Sequence, residues 1–123
     1  MVEAILWLAL NIHHEARGEP FHCQVAVGEV VRRRVESSVY PNTYEEVVLE
    51  PKQFSWANDK EPDFTVVTLD DLSAAAYAMY NDYTYTTTEL HYAATWVDNY
   101  WTKKMTKTYE CSGHIFYDNG GKR

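Results

Sequence analysis

The sequence predicts a mainly helical α+β domain, and three observations point there. Apolar residues recur at helical spacing in three long stretches. Short runs rich in β-branched and aromatic residues gather toward the C-terminus. The chain has 123 residues, 46% of them hydrophobic and 24% charged, which is enough for one core and too little for two. No repeat or low-complexity tract divides it, so residues 1–123 are read as a single domain.

The first helix follows from Ile5, Leu8, Ala9 and Ile12, an apolar stripe at i, i+3, i+4 and i+7 that runs into the polar stretch His13–Glu15. Glu15 stands three residues after Ile12, on the edge of that stripe, so its carboxylate is expected to face a partly apolar interior. Arg17-Gly18-Glu19-Pro20 breaks the pattern. Pro20 suits the first turn of a second helix that runs to about Ser37, with Val25, Ala26, Val27, Val30, Val31 and Val35 on its apolar side. Glu19, beside that start, is read as a helix-dipole partner.

Tyr40-Pro41-Asn42 closes this unit, and Thr43 with Glu46 forms a capping box for a short helix that stops before Pro51. From Lys52 to Thr68 the chain is polar and without period, which predicts loop. Thr68 and Asp71 cap a third long helix carrying Leu72, Ala75, Ala76 and Met79. Tyr77, Tyr80 and Tyr83, spaced by three, are read as one face of that helix against the core. Beyond it the threonine cluster after Tyr83, then Leu90-His91-Tyr92-Ala93, then His114-Ile115-Phe116-Tyr117 read as short strands, the last two bracketing a helical turn around Trp101–Met105.

Composition excludes several functions. With 18 acidic against 11 basic residues the net charge is −7, which argues against a nucleic-acid module. Arg32, Arg33 and Arg34 form the one tight basic run and are read as a solvated helix face. No stretch approaches the roughly 18 apolar residues of a membrane span. Ala4 to Ile12 is apolar, but acidic Glu3 precedes it where a signal peptide carries basic residues, so no signal peptide is expected. The two cysteines lie far apart, and no disulfide framework is expected.

Three chemistries fit the remaining residues. Glycosidic cleavage needs a carboxylic acid kept protonated beside an apolar wall, and Glu15 is the candidate. A metal centre finds no His-Glu-x-x-His or Cys-x-x-Cys motif among the five His and two Cys; only a set gathered from afar, such as His14, His22 and His114, would make one. A thiol nucleophile would pair Cys23 with His91 or His114. The aromatics are 10 Tyr and 4 Trp against 4 Phe, so most ring surface carries a polar edge suited to sugar faces. Tyr92, Trp96 and Trp101, with Gln53-Phe54-Ser55-Trp56, are the candidates for groove walls.

His14-Glu15-Ala16-Arg17-Gly18-Glu19-Pro20, then Gln24-Val25-Ala26-Val27, Arg34-Val35, Pro41-Asn42-Thr43, Val48 and Pro51-Lys52-Gln53-Phe54-Ser55 resemble, in order and spacing, the SleB/CwlJ family of cell-wall hydrolases. His91-Tyr92, Ala94-Thr95, Trp101, Lys104-Met105 and Gly113-His114-Ile115-Phe116-Tyr117 are similar to that family's final segment, so nearly the whole chain is covered. The resemblance implies a lysozyme-like fold and action on peptidoglycan glycan strands, with Glu15 as the acid. It further implies a lytic transglycosylase outcome, closing a 1,6-anhydro ring on the muramyl residue. Gln24, Gln53, Phe54, Ser55, Tyr92, Thr95, Trp96 and His114 are then the expected substrate-binding or supporting residues, with no cofactor and no metal.

This chain departs from the family pattern at Cys23, where Gly is usual, at Arg33, where Asn is usual, and at Thr87-Thr88-Glu89, which replaces a common Gly-Gly. His14 beside the acid either tunes it or packs against the helix. A metal- or thiol-dependent amidase and a non-catalytic glycan-binding domain are the alternatives. No separate peptidoglycan-binding domain is expected, and the chain is read as a monomer made in a host cytoplasm for phage lysis or carried on a virion, with a holin or virion proteins as partners.

Overall fold

The computed structural model describes residues 2–51, 53–59 and 61–123. Three helices form the body of the molecule: α1 (Ala4–Ala16), α2 (Phe21–Glu36) and, later in the chain, α5 (Leu69–Tyr80), with the short α3 (Tyr44–Leu49) packed against the first two. The expected stripes of α1 and α2 face inward; on α5 the buried face is turned slightly, with Ala74 and Ala78 joining Ala75 while Leu72, Ala76 and Met79 are only partly buried. Leu8, Ala9 and Ile12 of α1 meet Val27, Val30 and Val31 of α2 and Ala74, Ala75 and Ala78 of α5 in one core, joined by Val47 and Val48.

Local chemistry sets the helix ends where the sequence marks them. Thr43 Oγ1 accepts from the Glu46 N–H at 3.1 Å, and Thr68 and Asp71 exchange both bonds of a capping box. Asp71 also pairs with His13 at 2.9 Å, which fastens the start of α5 to α1. Gly18, at φ +83°, supplies the left-handed turn between α1 and α2 that a side chain resists. Gly28 has another role: a Cβ there would lie 2.9 Å from Cβ of Ala78, so its absence lets α2 and α5 approach closely.

The C-terminal part is a three-stranded antiparallel sheet in the order β1-β3-β2, with β1 at His91–Ala94, β2 at Thr106–Cys111 and β3 at His114–Asp118. The central strand is the buried one, and Phe116 joins it to the helical core. A second cluster of Ala93, Ile115 and Tyr117, with Val97, Trp101 and Met105, lies under α6 (Tyr100–Lys104), the expected helical turn.

Five expectations need correction. Residues 52–68 are not all loop: α4 (Ser55–Asp59) and a 3-10 turn (Phe64–Val66) lie within them, while Lys52 and Lys60 fall outside the described residues. Strand β2 has no counterpart among the expected strands, because its polar, largely exposed sequence has no apolar face and is recruited by pairing with β3. The threonine cluster is not a strand; it wraps two buried carboxylates, Glu29 accepting from the N–H groups of Tyr85 and Thr86, and Glu89 from those of Thr87 and Thr88. The arginine run is not a solvated face, since Arg32 donates to Ala78 O, Arg33 to Glu89 O and Arg34 to Leu90 O. Tyr80 and Tyr83 are exposed, and Tyr83 lies past the helix end.

The cysteines supply a sixth correction. Cys23 and Cys111 form a disulfide across 88 residues, tying the first turn of α2 to the end of β2. Both sulfurs are thereby bonded, so the thiol-nucleophile reading falls. The two residues are neighbours only where the sheet packs on the helices, which is why sequence distance gives no hint of it.

Candidate active site

Glu15 sits on the last turn of α1, half-buried, with the core stripe of the helix to one side. Asn11, one turn earlier on the same face, is buried. Its carbonyl oxygen accepts from Trp56 Nε1 at 2.8 Å, and its amide donates to the Tyr92 hydroxyl at 3.5 Å. That hydroxyl donates in turn to Glu15 Oε1 at 2.8 Å. Strand β1 thus delivers Tyr92 to the acid, and α4 delivers Trp56 to the residue that orients Tyr92.

Burial is the largest influence on Glu15 and raises its pKa above the ordinary carboxylate value. The Tyr92 hydrogen bond and the charges of His114 and Arg34 pull the other way, and the charge of Glu19 adds to the rise. The net direction is upward, so the protonated form persists to higher pH than for a free glutamate. A carboxyl group poised in this way can donate a proton to a leaving oxygen.

The surroundings are closely packed. The Tyr92 ring stacks on Phe54 at 6.1 Å and takes His114 edge-on at 5.3 Å. His114 Nδ1 lies 3.0 Å from Glu19 Oε2 and the Gly113 N–H 3.3 Å from Glu19 Oε1. Glu19 therefore anchors the β2–β3 turn, in addition to lying beside the start of α2 as expected. Arg34 is 4% exposed; its Nε donates to Leu90 O at 2.7 Å, its Nη1 reaches Gln53 Oε1 at 3.4 Å, and its guanidinium lies over the rings of Tyr40 and Phe54.

Beside Tyr92 opens a cleft of about 590 Å³, walled by Tyr40, His91, Tyr100 and Trp101 with Arg34 at its floor. His91 is held neutral, its pKa pushed down to about 4 by burial and by the charge of Arg34. The aromatic walls and amide edges suit a ligand with apolar faces and polar rims.

The expected residues separate into groups here. Tyr92 and His114 stand around Glu15, and Gln53 lines the cleft. Gln24 instead donates to Ala16 O at 3.2 Å and fixes the end of α1, while Phe54, 3% exposed, supports Tyr92 from behind. Ser55 opens α4 on the surface, and Thr95 and Trp96 are exposed just past β1, Trp96 at 84%. Trp101 and Trp56 both come to the site, the latter through Asn11 and by stacking on His14 at 4.4 Å. Asn11 and Arg34 stand at the site without belonging to the expected set. A polar residue inside an apolar helical stripe is the signal by which Asn11 could be found.

Among the described residues His14, His22 and His114 do not come together; the one group of three metal-donor residues is His22 with Cys23 and Cys111. A sulfur bonded to another sulfur is not a thiolate ligand.

The family model described as Cell Wall Hydrolase matches residues 18–117. Among curated proteins, the spore cortex-lytic enzymes of Oceanobacillus iheyensis and Bacillus subtilis strain 168 are each 40% identical over 52 residues, 42% of this chain. The matched segment is 19% and 17% of those proteins, so the alignment spans less than a fifth of their length. The catalytic domain of the germination-specific lytic transglycosylase SleB from Bacillus anthracis superposes with a TM-score of 0.84 at 29% identity, over 94% of this chain and 93% of that one. The catalytic domain of the Bacillus cereus SleB protein gives 0.77 at 28% identity, over 94% and 89%. The lysozyme-like, mainly α architecture expected from the resemblance is the one observed. A match across most of the chain in sequence, and across nearly all of it in space, shows that this protein belongs to the cell wall hydrolase family.

Proposed function

We propose that the chain cleaves the glycan strand of peptidoglycan between N-acetylmuramic acid and N-acetylglucosamine, with Glu15 acting as acid and then as base. The observation that carries this is the Glu15 carboxyl, raised in pKa by burial and held on one oxygen by Tyr92, a residue that also lines the aromatic cleft. Glu15 protonates the bridging oxygen as the bond from the muramyl C1 breaks. The resulting carboxylate takes the proton from the muramyl C6 hydroxyl, whose oxygen closes on C1 to give the 1,6-anhydro product.

The transglycosylase outcome is favoured over hydrolysis because the neighbouring carboxylate is already engaged. Two-carboxylate hydrolysis needs a second free acid roughly 5–9.5 Å away, and both Glu19 oxygens are held by His114 and Gly113. The Bacillus anthracis relative is a lytic transglycosylase, and its likeness to this chain supports the same reading. Tyr92 and His114 act as positioning residues, and Gln53 with the cleft aromatics as substrate contacts.

Glu15→Gln is expected to lower release of soluble fragments from purified peptidoglycan by about 10²–10⁴-fold, the usual worth of a general acid. Full lysis by that variant would sink the proposal. Mass analysis of the wild-type products decides the outcome: fragments lighter by one water than hydrolytic muropeptides support it, fragments carrying that water indicate a muramidase, and freed stem peptides indicate an amidase.

A further inference from the structure

The cleft beside Tyr92 has an electrostatic character opposite to that of the chain. The protein carries 18 acidic against 11 basic residues, yet the charged side chains lining this cleft are Arg34, Lys104 and Arg123, and no carboxylate lines it among the described residues. Arg123 is paired with Glu50 and lies over the Tyr40 ring at 4.5 Å. Lys104 is exposed at the rim, 5.3 Å above the Tyr100 ring.

Arg34 is the telling member. It is almost fully buried, its partners are a carbonyl, an amide oxygen and two ring faces, and no carboxylate lies within ion-pair distance of it among the described residues. A cation taken out of water without a counter-ion is costly, since neutral dipoles replace only part of its hydration. The floor of the cleft therefore holds a positive charge with no ion-pair partner among the described residues, on which Glu15 acts only at longer range, and the exposed Lys104 ammonium stands at the rim. An anion entering from solvent would complete it.

We propose that this cleft is a carboxylate subsite that reads the anionic substituent on the muramyl 3-oxygen. This rests on the glycan-cleavage reading above and adds a specificity to it. The carboxylate has two sources, the lactyl group itself where no peptide is attached, or the stem peptide where one is. The aromatic walls take the apolar part of that substituent. The arginine floor and Lys104 take its charge, so a neutral substituent binds less well.

The test compares kcat/KM for release of glycan ends from three substrates: native peptide-bearing glycan, glycan stripped of peptides by an amidase, and native glycan whose carboxyl groups have been converted to amides. Wild type is expected to prefer native over amidated glycan by roughly tenfold, mostly in KM, as for other desolvated charge contacts. Lys104→Glu is expected to bring that ratio close to one. Lys103→Glu makes the same charge change at an exposed neighbour that does not line the cleft, and is expected to keep the ratio. Stripped glycan carries the lactyl carboxylate free: cleaved better than amidated glycan it shows that the lactyl carboxylate fills the subsite, and cleaved no better than amidated glycan it assigns the peptide's carboxylate; each supports the subsite. Equal cleavage of all three substrates by wild type overturns it, as does a preference for the carboxylate-bearing substrate that is unchanged in Lys104→Glu. Absence of new glycan ends from all three substrates would overturn the glycan-cleavage reading instead.

Discussion

The hydroxyl of Tyr92 donates to Glu15 and accepts from Asn11, so one oxygen couples the acid to the α4 side of the site. Its bond favours the ionised carboxylate and lowers the Glu15 pKa against the larger effect of burial. Tyr92→Phe removes that restraint, so the Glu15 pKa rises further. Because the acid must be protonated to act, the alkaline fall of the kcat/KM profile is expected to move to higher pH in this variant. The rate on the plateau should fall as the carboxyl loses its fixed orientation. A profile whose alkaline limb stays in place would show that Tyr92 does not act on the proton donor. Glu15 is legible in the sequence because it terminates an amphipathic stripe within a specific run of residues. Arg34 is hidden for a geometric reason: adjacent positions on a helix point about 100° apart, so three consecutive arginines cannot share one face, and one of them has to turn inward.

Helices and strands differ in how openly they announce themselves. The N-cap bond at Thr43 and the capping box at Thr68 are local chemistry and appear where the sequence puts them. Strand β2 depends on a partner: Thr106–Cys111 is mostly exposed, with a register shift between Lys107 and Tyr109, and its conformation comes from the β3 backbone beside it. The contact of α2 with α5 is likewise invisible in either helix alone. Gly28 would be read as a weak point in a helix, yet it is where Ala78 and Ile12 come closest. Gly28→Ala gains helix propensity but forces a Cβ within 2.9 Å of another. A net loss of about 1–3 kcal/mol is expected from overpacking, measured as a lower urea midpoint. An equal or higher midpoint would show that the two helices separate without cost.

At the scale of the molecule, one covalent link joins the helical body to the sheet. Cys23 and Cys111 enclose most of the chain, and in the loop-entropy account a crosslink of this span contributes roughly 4–5 kcal/mol. Reduction, or the Cys23→Ala/Cys111→Ala pair, is expected to lower stability by roughly 2–5 kcal/mol, read as a fall in Tm of several degrees in the oxidised-versus-reduced comparison. A Tm indifferent to reductant would contradict this. The link also braces the turn that presents Gly113 and His114 to Glu19, so activity should decline with it. The overall architecture is legible in the sequence because helical periodicity is strong and nearly every segment of the family pattern is present. The disulfide is not, because its partners meet only through tertiary structure.

That bond makes the molecule a closed ring with two tails. Glu15 and Glu19 lie on the N-terminal tail, Gly113 and His114 on the C-terminal one, and Tyr92 belongs to the ring. The tails leave the ring at the same knot and are held against each other there, so the acid and its supporting histidine stay neighbours whatever happens along the ring. A protease that cuts once in the exposed stretch between α5 and β1 opens the ring without releasing either tail. The two pieces would travel as one species until a reductant separates them.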